Sequence, residues 1–239
     1  MVDVSAQDRL ILPLDFPTIE AAEEMIARLD GQVNFFKIGM ELQYAGGMAL
    51  IDRLLNAGHQ IFLDVKLLDI DNTVEQAVRN IAKMGVKFVT LHAYPKAMAA
   101  AVRGRGTSGL QLLGVSVLTS MDQADLADAG YDRPLTELVV GRAQQAVDCG
   151  MDGLVCSPHE AAQVRRAVGS GLALVTPGIR TAGSAANDQK RIMTPYQAIA
   201  DGADYLVVGR SITAAGNPAA AAAGVIAEIS TALQDRTAA

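Results

Sequence analysis

The sequence predicts a single (β/α)8 barrel spanning residues 1–239, on three observations. Short apolar runs alternate with longer amphipathic stretches from end to end. A helix–glycine–strand junction recurs in "LLNAGHQIFLD", "IAKMGVKFVTLH", "AVDCGMDGLVCS" and "AIADGADYLVVG". Gly58, Gly85, Gly150 and Gly202 are read there as left-handed helix ends. No linker or shift in composition marks a second domain, and β-α units repeated along a chain near 250 residues favour a closed barrel over an open sheet.

The elements follow in order. The first strand is read at 9–16, "RLILPLDF", and a helix in "TIEAAEEMIARL". The second strand, 33–39, precedes a helical pattern at 48–57. The third, 60–66, precedes "TVEQAVRNIAKM", with Asn72 as the N-cap and Glu75 three residues on. Strand four is read at 87–93 and strand five at 110–118. The segment "TSMDQADLADAGYDRP" is then read as a loop, before a helix from Leu135 to Asp148. Strands six to eight are read at 153–157, 172–179 and 205–209. Between the last two lies "RTAGSAANDQKR", long for a βα connection and read as a lid. The strands are apolar on both faces, as expected of a parallel sheet covered by helices.

Composition narrows the function. The formal charge is −6, with 50% hydrophobic and 4% aromatic residues. No basic run carries interleaved aromatics, so nucleic acid is not an expected partner. No apolar window reaches the roughly 18 residues of a membrane span, and the N-terminus reads as neither signal nor anchor. Cys149 and Cys156 fit no disulfide or metal spacing, which makes a reducing cytoplasm the expected location and small buried hydrophobes the expected role. His59, His92 and His159 suggest no metal site, and Met40, Met84 and Met193 are read as packing.

Charge concentrates in "FLDVKLLDIDNTV". Residues i and i+2 of a strand share a face, so Asp64 and Lys66 lie together, with Cβ atoms roughly 6–7 Å apart. Ile61, Leu63 and Val65 take the helix side, and the pair points into the barrel at the carboxyl end of its strand, where barrel active sites sit. Lys37 in "NFFKIG" ends a neighbouring strand, and a buried lysine without a partner loses its proton. Asp64 is its natural partner. Asp15 ends strand one, and Asp69 follows at the rim. "TPGIR" and "VVGRS" close strands seven and eight, where barrels of this type often bind phosphate. Gly178, Gly209 and Arg210 fit, with Arg180 and Gln189 as further donors.

These segments resemble the orotidine 5′-phosphate decarboxylase family of bacterial type. The resemblance rests on "LDVKLLDIDNTV", supported by "FFKIGMEL", "GVSVLTSM", "GLVCS", "LVTPGIRTAGSAANDQKRIMTP" and "DYLVVGRSIT", and runs from about residue 9 to 213. It implies a cofactor-free homodimer with shared active sites, which converts orotidine 5′-phosphate to UMP and CO2 in pyrimidine synthesis. It implies a Lys37–Asp64–Lys66–Asp69 network with Lys66 as proton donor and Asp69 reaching into the neighbouring site. Asp15 would hold the ribose side, Ile70 and Thr73 would line the site, Thr73 across the dimer, and Thr119 would contact the base. Arg180, Gln189, Gly209 and Arg210 would hold the phosphate. Two positions depart from the pattern: Asp71 stands where the family usually has Pro, and "HAYPKAM" replaces a run of small residues. The alternatives are a Mg²⁺-dependent sugar-phosphate decarboxylase or aldolase barrel, a Schiff-base aldolase, and a non-catalytic nucleotide-binding barrel.

Overall fold

A computed structural model describes residues 4–180 and 193–238. Eight parallel strands close in sequence order, β1 next to β2 and so on round to β8 against β1. The elements are β1 (Leu10–Pro13), α1 (Ile19–Arg28), β2 (Phe35–Ile38), α2 (Met40–Leu42), α3 (Met48–Asn56), β3 (Gln60–Leu67), α4 (Asp71–Ile81), β4 (Phe88–His92) and α5 (Pro95–Arg105). Then come β5 (Gln111–Val115), α6 (Gln123–Asp128), α7 (Leu135–Cys149), β6 (Gly153–Val155), α8 (Pro158–Val168), β7 (Ala173–Thr176), α9 (Pro195–Ala200), β8 (Tyr205–Val207), α10 (Arg210–Thr213) and α11 (Pro218–Ala238). This is the (β/α)8 barrel expected from the sequence.

Strand alternation sorts the apolar side chains into two cores. Leu10, Leu12, Ile61, Leu63, Val89 and Leu91 face outward and pack under the helices. Ile11, Phe35, Phe62, Phe88, Leu113, Val175, Tyr205 and Val207 face inward and fill the barrel. The inner core is an aromatic plug. Phe88 lies 5.2 Å from Phe35 and 5.1 Å from Tyr205, ring centre to ring centre, the latter edge-on. Lys87 covers the plug at the amino end of the strands. Its Nζ sits 5.1–5.5 Å from the rings of Phe35, Phe88 and Tyr205 and donates to Gln60 Oε1. Apolar rings thus fill one end of the barrel interior, and polar groups collect at the other.

The four junction glycines hold positive φ as expected: 88° at Gly58, 81° at Gly85, 79° at Gly150 and 109° at Gly202. Several expectations need correction. Helix α4 begins at Asp71, not after Asn72; Ile70 precedes it, and no side chain caps it. Strand β3 runs on to Leu67, so a three-residue connection advances the helix start. Glu75 is drawn to Arg79 and Arg103 instead, stapling α4 to α5. The segment after β5 is not a plain loop: Asp122 and Asp125 form a capping box for α6. Helix α11 was not anticipated, because its alanine-rich sequence carries little amphipathic pattern. Met40 is exposed rather than packed, while Met84 and Met193 do pack on the core. Cys156 is buried, and burial pushes its thiol up to about 12. Residues 181–191 of the expected lid, with Gln189, lie outside the described residues. Among the described residues, no helix is long and apolar enough to cross a membrane.

Helices α4 and α5 come close at Gly104, where an added Cβ would press on the Glu75 carbonyl oxygen and come 3.0 Å from Val78 Cβ. We expect Gly104→Ala to lower stability by about 1–3 kcal/mol through overpacking, outweighing about 1 kcal/mol of helix propensity. An unchanged or raised melting temperature would contradict this close approach.

Candidate active site

A cavity of about 580 Å³ opens at the carboxyl ends of the strands, above the aromatic plug. Phe62 forms part of its floor, and Asp64, two residues further along β3, stands above it in the wall. Asp64 is 8% exposed. Lys66 Nζ donates to both its oxygens at 2.9 Å. Lys37 Nζ lies 3.5 Å from Oδ2 on the other side, and reaches Asp15 Oδ1 at 3.1 Å. Four side chains therefore alternate in sign across β1, β2 and β3: Asp15, Lys37, Asp64, Lys66. Gly39, just after β2, passes close to two of them: a Cβ there would come 2.8 Å from Lys37 Nζ and 3.1 Å from Asp15 Oδ1.

The expected inward placement of Asp64 and Lys66 holds, but not through a flat strand. The register with β4 shifts between Leu63 and Leu67, and Lys66 adopts φ 49°, a left-handed conformation uncommon outside glycine. Its N–H leaves the ladder and donates to Thr90 Oγ1 at 3.0 Å, while the Thr90 hydroxyl donates to Asp64 Oδ1 at 2.8 Å. Thr90 thus fixes both the backbone of the lysine and the carboxylate it faces. Such strain persists only where surrounding contacts over-determine it, and it clusters at functional sites.

Burial alone would raise the Asp64 carboxyl. The charges of Lys37 and Lys66, with hydrogen bonds from Lys66 and Thr90, outweigh burial and hold it below its ordinary value. The carboxylate is therefore ionised at neutral pH, and it faces two ammonium groups.

The rest of the cavity rim carries Thr119 after β5, Pro177, Gly178 and Arg180 after β7, and Gly209 and Arg210 after β8, the last beside β1. Gly178 has φ 86°, which turns the chain sharply at the cavity edge. Arg180 is buried and donates to the Ile179 carbonyl at 2.8 Å. The structure thus gathers Asp15, Lys37, Asp64, Lys66, Thr119, Arg180, Gly209 and Arg210 around one cavity. It does not bring Asp69, Ile70 or Thr73 into that wall. Asp69 Oδ1 accepts from the Ile70 N–H at 2.6 Å, and Ile70 is 73% exposed.

Sequence reading missed Thr90 and Gln43. Thr90 was legible in principle, since Phe88, Thr90 and His92 alternate on the inner face of β4. Gln43 was not. Its amide donates to the Ile38 carbonyl at 2.9 Å and the Asp64 carbonyl at 3.4 Å, from a π-helical turn at Gln43–Gly47 that no local pattern announces. Among the described residues, no group of three or more His, Cys, Asp or Glu side chains is arranged to hold a metal ion.

Known proteins resemble this chain in sequence and in fold. The profile of the "Orotidine 5'-phosphate decarboxylase / HUMPS family" matches residues 8–225. The orotidine 5′-phosphate decarboxylase of Rhodopseudomonas palustris strain BisA53 is 59% identical over 96% of this chain and 98% of its own. That of Bradyrhizobium sp. strain ORS 278 is 55% identical over 97% and 95%. The crystal structure of orotidine 5′-phosphate decarboxylase from Lactobacillus acidophilus superposes with a TM-score of 0.81 at 35% identity, covering 92% of this chain and 98% of that one.

A depressed carboxyl contributes stability that is complete above its unfolded-state value and is lost as pH falls through the folded-state value. We expect the stability of the wild type relative to Asp64→Asn to be level from pH 5 to pH 8, and to decline below the ordinary carboxylate value of 3.8. Urea unfolding of both proteins across that range measures it. A difference that stays level in acid would mean that the lysines do not hold the charge.

Proposed function

The chain belongs to the orotidine 5′-phosphate decarboxylase / HUMPS family, and from that premise we propose that it converts orotidine 5′-phosphate to UMP and CO2 without a cofactor. The observation that carries the proposal is the Lys37–Asp64–Lys66 array at the mouth of a closed barrel. When the bond from the pyrimidine ring to its carboxylate breaks, the electron pair stays on the ring carbon in an in-plane orbital. The ring π system offers it no delocalisation, so the protein must stabilise it electrostatically. A fixed ammonium beside that carbon does so, and Lys66 Nζ–H then delivers the proton that completes UMP. Asp64 fixes the partly buried Lys66 Nζ in place, accepting from it at both carboxylate oxygens. Lys37, on the other side of Asp64 and next to Asp15, suits the ribose end. Thr119 would meet the base. Arg180, Gly209 and Arg210 would hold the phosphate, together with Gln189. Grip on that remote dianion supplies binding energy that orders the reacting end.

A Mg²⁺-dependent reaction is the less favoured reading, because Lys37 and Lys66 occupy the directions from which a cation would approach Asp64. A Schiff-base mechanism requires a neutral lysine, whereas Lys66 lies against a carboxylate.

The proposal includes a homodimer that shares its sites, with Asp69, Ile70 and Thr73 serving the neighbouring cavity. Two features support it. Asp69 stands at the rim outside its own chain's cavity wall. An arc of exposed apolar side chains follows β2 and β3: Met40, Tyr44, Met48, Leu68 and Ile70, with Tyr44 89% exposed.

Metal-stripped protein should consume orotidine 5′-phosphate in an ultraviolet assay, and Lys66→Ala should lose about 100- to 10,000-fold or more in kcat. Near-normal turnover by Lys66→Ala would remove the lysine from the chemical step. Mixing inactive Lys66→Ala with inactive Asp69→Ala should restore activity through hybrid dimers. No recovery after demonstrated subunit exchange would place Asp69 outside the shared site.

A further inference from the structure

The rim above β4 and β5 holds a cluster that the charged array does not use. Arg142, on α7, donates from Nη1 to the Ser116 carbonyl and from Nη2 to the Tyr131 hydroxyl, the latter at 3.1 Å. The Tyr131 and Tyr94 hydroxyls lie 2.6 Å apart. The guanidinium carbon is 5.2 Å from the Tyr94 ring centre and 5.4 Å from that of Tyr131, so both rings offer their π systems to one cation. A single planar group thereby ties together the exit of β4, the segment after α6 and the exit of β5. Its fork geometry allows two acceptors at once, which a point charge cannot hold in the same way.

The exit of β5 is the segment that matters. Ser116 is pinned to β6 as well, its N–H and hydroxyl both donating to the Val155 carbonyl at 3.1 and 2.8 Å. The next three residues, Val117, Leu118 and Thr119, line the cavity. Tyr94, Ser116, Tyr131 and Arg142 do not. The direction in which residues 117–119 leave the strand therefore depends on a peptide plane fixed from outside the cavity.

We infer that Arg142, clasped by Tyr94 and Tyr131, is a positioning residue that sets the Val117–Thr119 wall and so tunes the fit of the substrate's ring without touching it. The substrate in this statement rests on the function proposed above. The placement of the wall does not.

Three variants test it: Arg142→Met, Arg142→Lys and the milder Tyr131→Phe, which removes one hydroxyl and leaves the ring. The readouts are kcat and KM on orotidine 5′-phosphate and amide hydrogen exchange over residues 116–119. Loss of a charge-assisted hydrogen bond sets the scale. In Arg142→Met, KM should rise about tenfold with kcat within about threefold, and exchange at 116–119 should accelerate. Tyr131→Phe should move both readouts the same way by less, and it serves as the test if Arg142→Met does not fold. Arg142→Lys keeps the charge but cannot bridge both acceptors, so it should resemble the methionine variant. Full recovery with lysine would show that only charge at a distance matters, and would overturn the inference. So would unchanged exchange at 116–119, or equal losses in kcat and kcat/KM with KM unmoved. Should the wild type prove inactive on orotidine 5′-phosphate, the proposed function fails while hydrogen exchange still decides the clamp.

Discussion

Asp64 is a carboxylate taken almost wholly out of water, and the barrel mouth is organised around keeping it charged. Removing such a group from water costs several kcal/mol, recovered only with close opposite charge and filled hydrogen-bonding capacity. Lys66, Lys37 and Thr90 meet that demand from three successive strands. Their order round the barrel matters, because a parallel sheet closed in sequence order places β2, β3 and β4 side by side. No single strand holds the array. An isolated hairpin or helix carrying the same residues would lack the neighbours that make the charge tolerable.

The two ends of the barrel divide the work. The aromatic layer of Phe35, Phe62, Phe88 and Tyr205 fills the interior with apolar area and edge-to-face contacts. It also closes the floor beneath the charges, so the cavity opens to one side and Asp64 stays largely shielded from water. Electrostatic interactions are stronger there than at an open surface. Stability and chemistry thus share a wall at Phe62, which belongs to the core and to the cavity at once.

Much of this was legible in the sequence, because period-two alternation carries real three-dimensional information. It places Asp64 inward and Ile61 and Leu63 outward, and the glycines that precede strands fix the β-α rhythm. What escaped has physical causes. The start of α4 depends on how far β3 persists, and that in turn depends on pairing with β4 rather than on Asn72. The capping box of α6 was hidden in a segment rich in turn-forming residues. Gln43 reaches its carbonyls from a π-helical turn, a geometry set by the glycine pair at Gly46 and Gly47 and by packing. Asp69, Ile70 and Thr73 stand outside the cavity wall of their own chain, because β3 and the start of α4 carry them past its edge, a displacement that spacing along the sequence does not announce.

The left-handed backbone at Lys66 carries an implication for how this protein tolerates change. Glycine would relax that residue's main chain, yet it would delete the ammonium. A β-branched side chain would suffer both ways. Main-chain ease and the charge that Asp64 requires thus pull in opposite directions: glycine would relieve about 1–2 kcal/mol of strain, yet leave a buried carboxylate short of a partner, which costs about 3–5 kcal/mol. Keeping it means carrying a built-in tension that the hydroxyl of Thr90 holds in check.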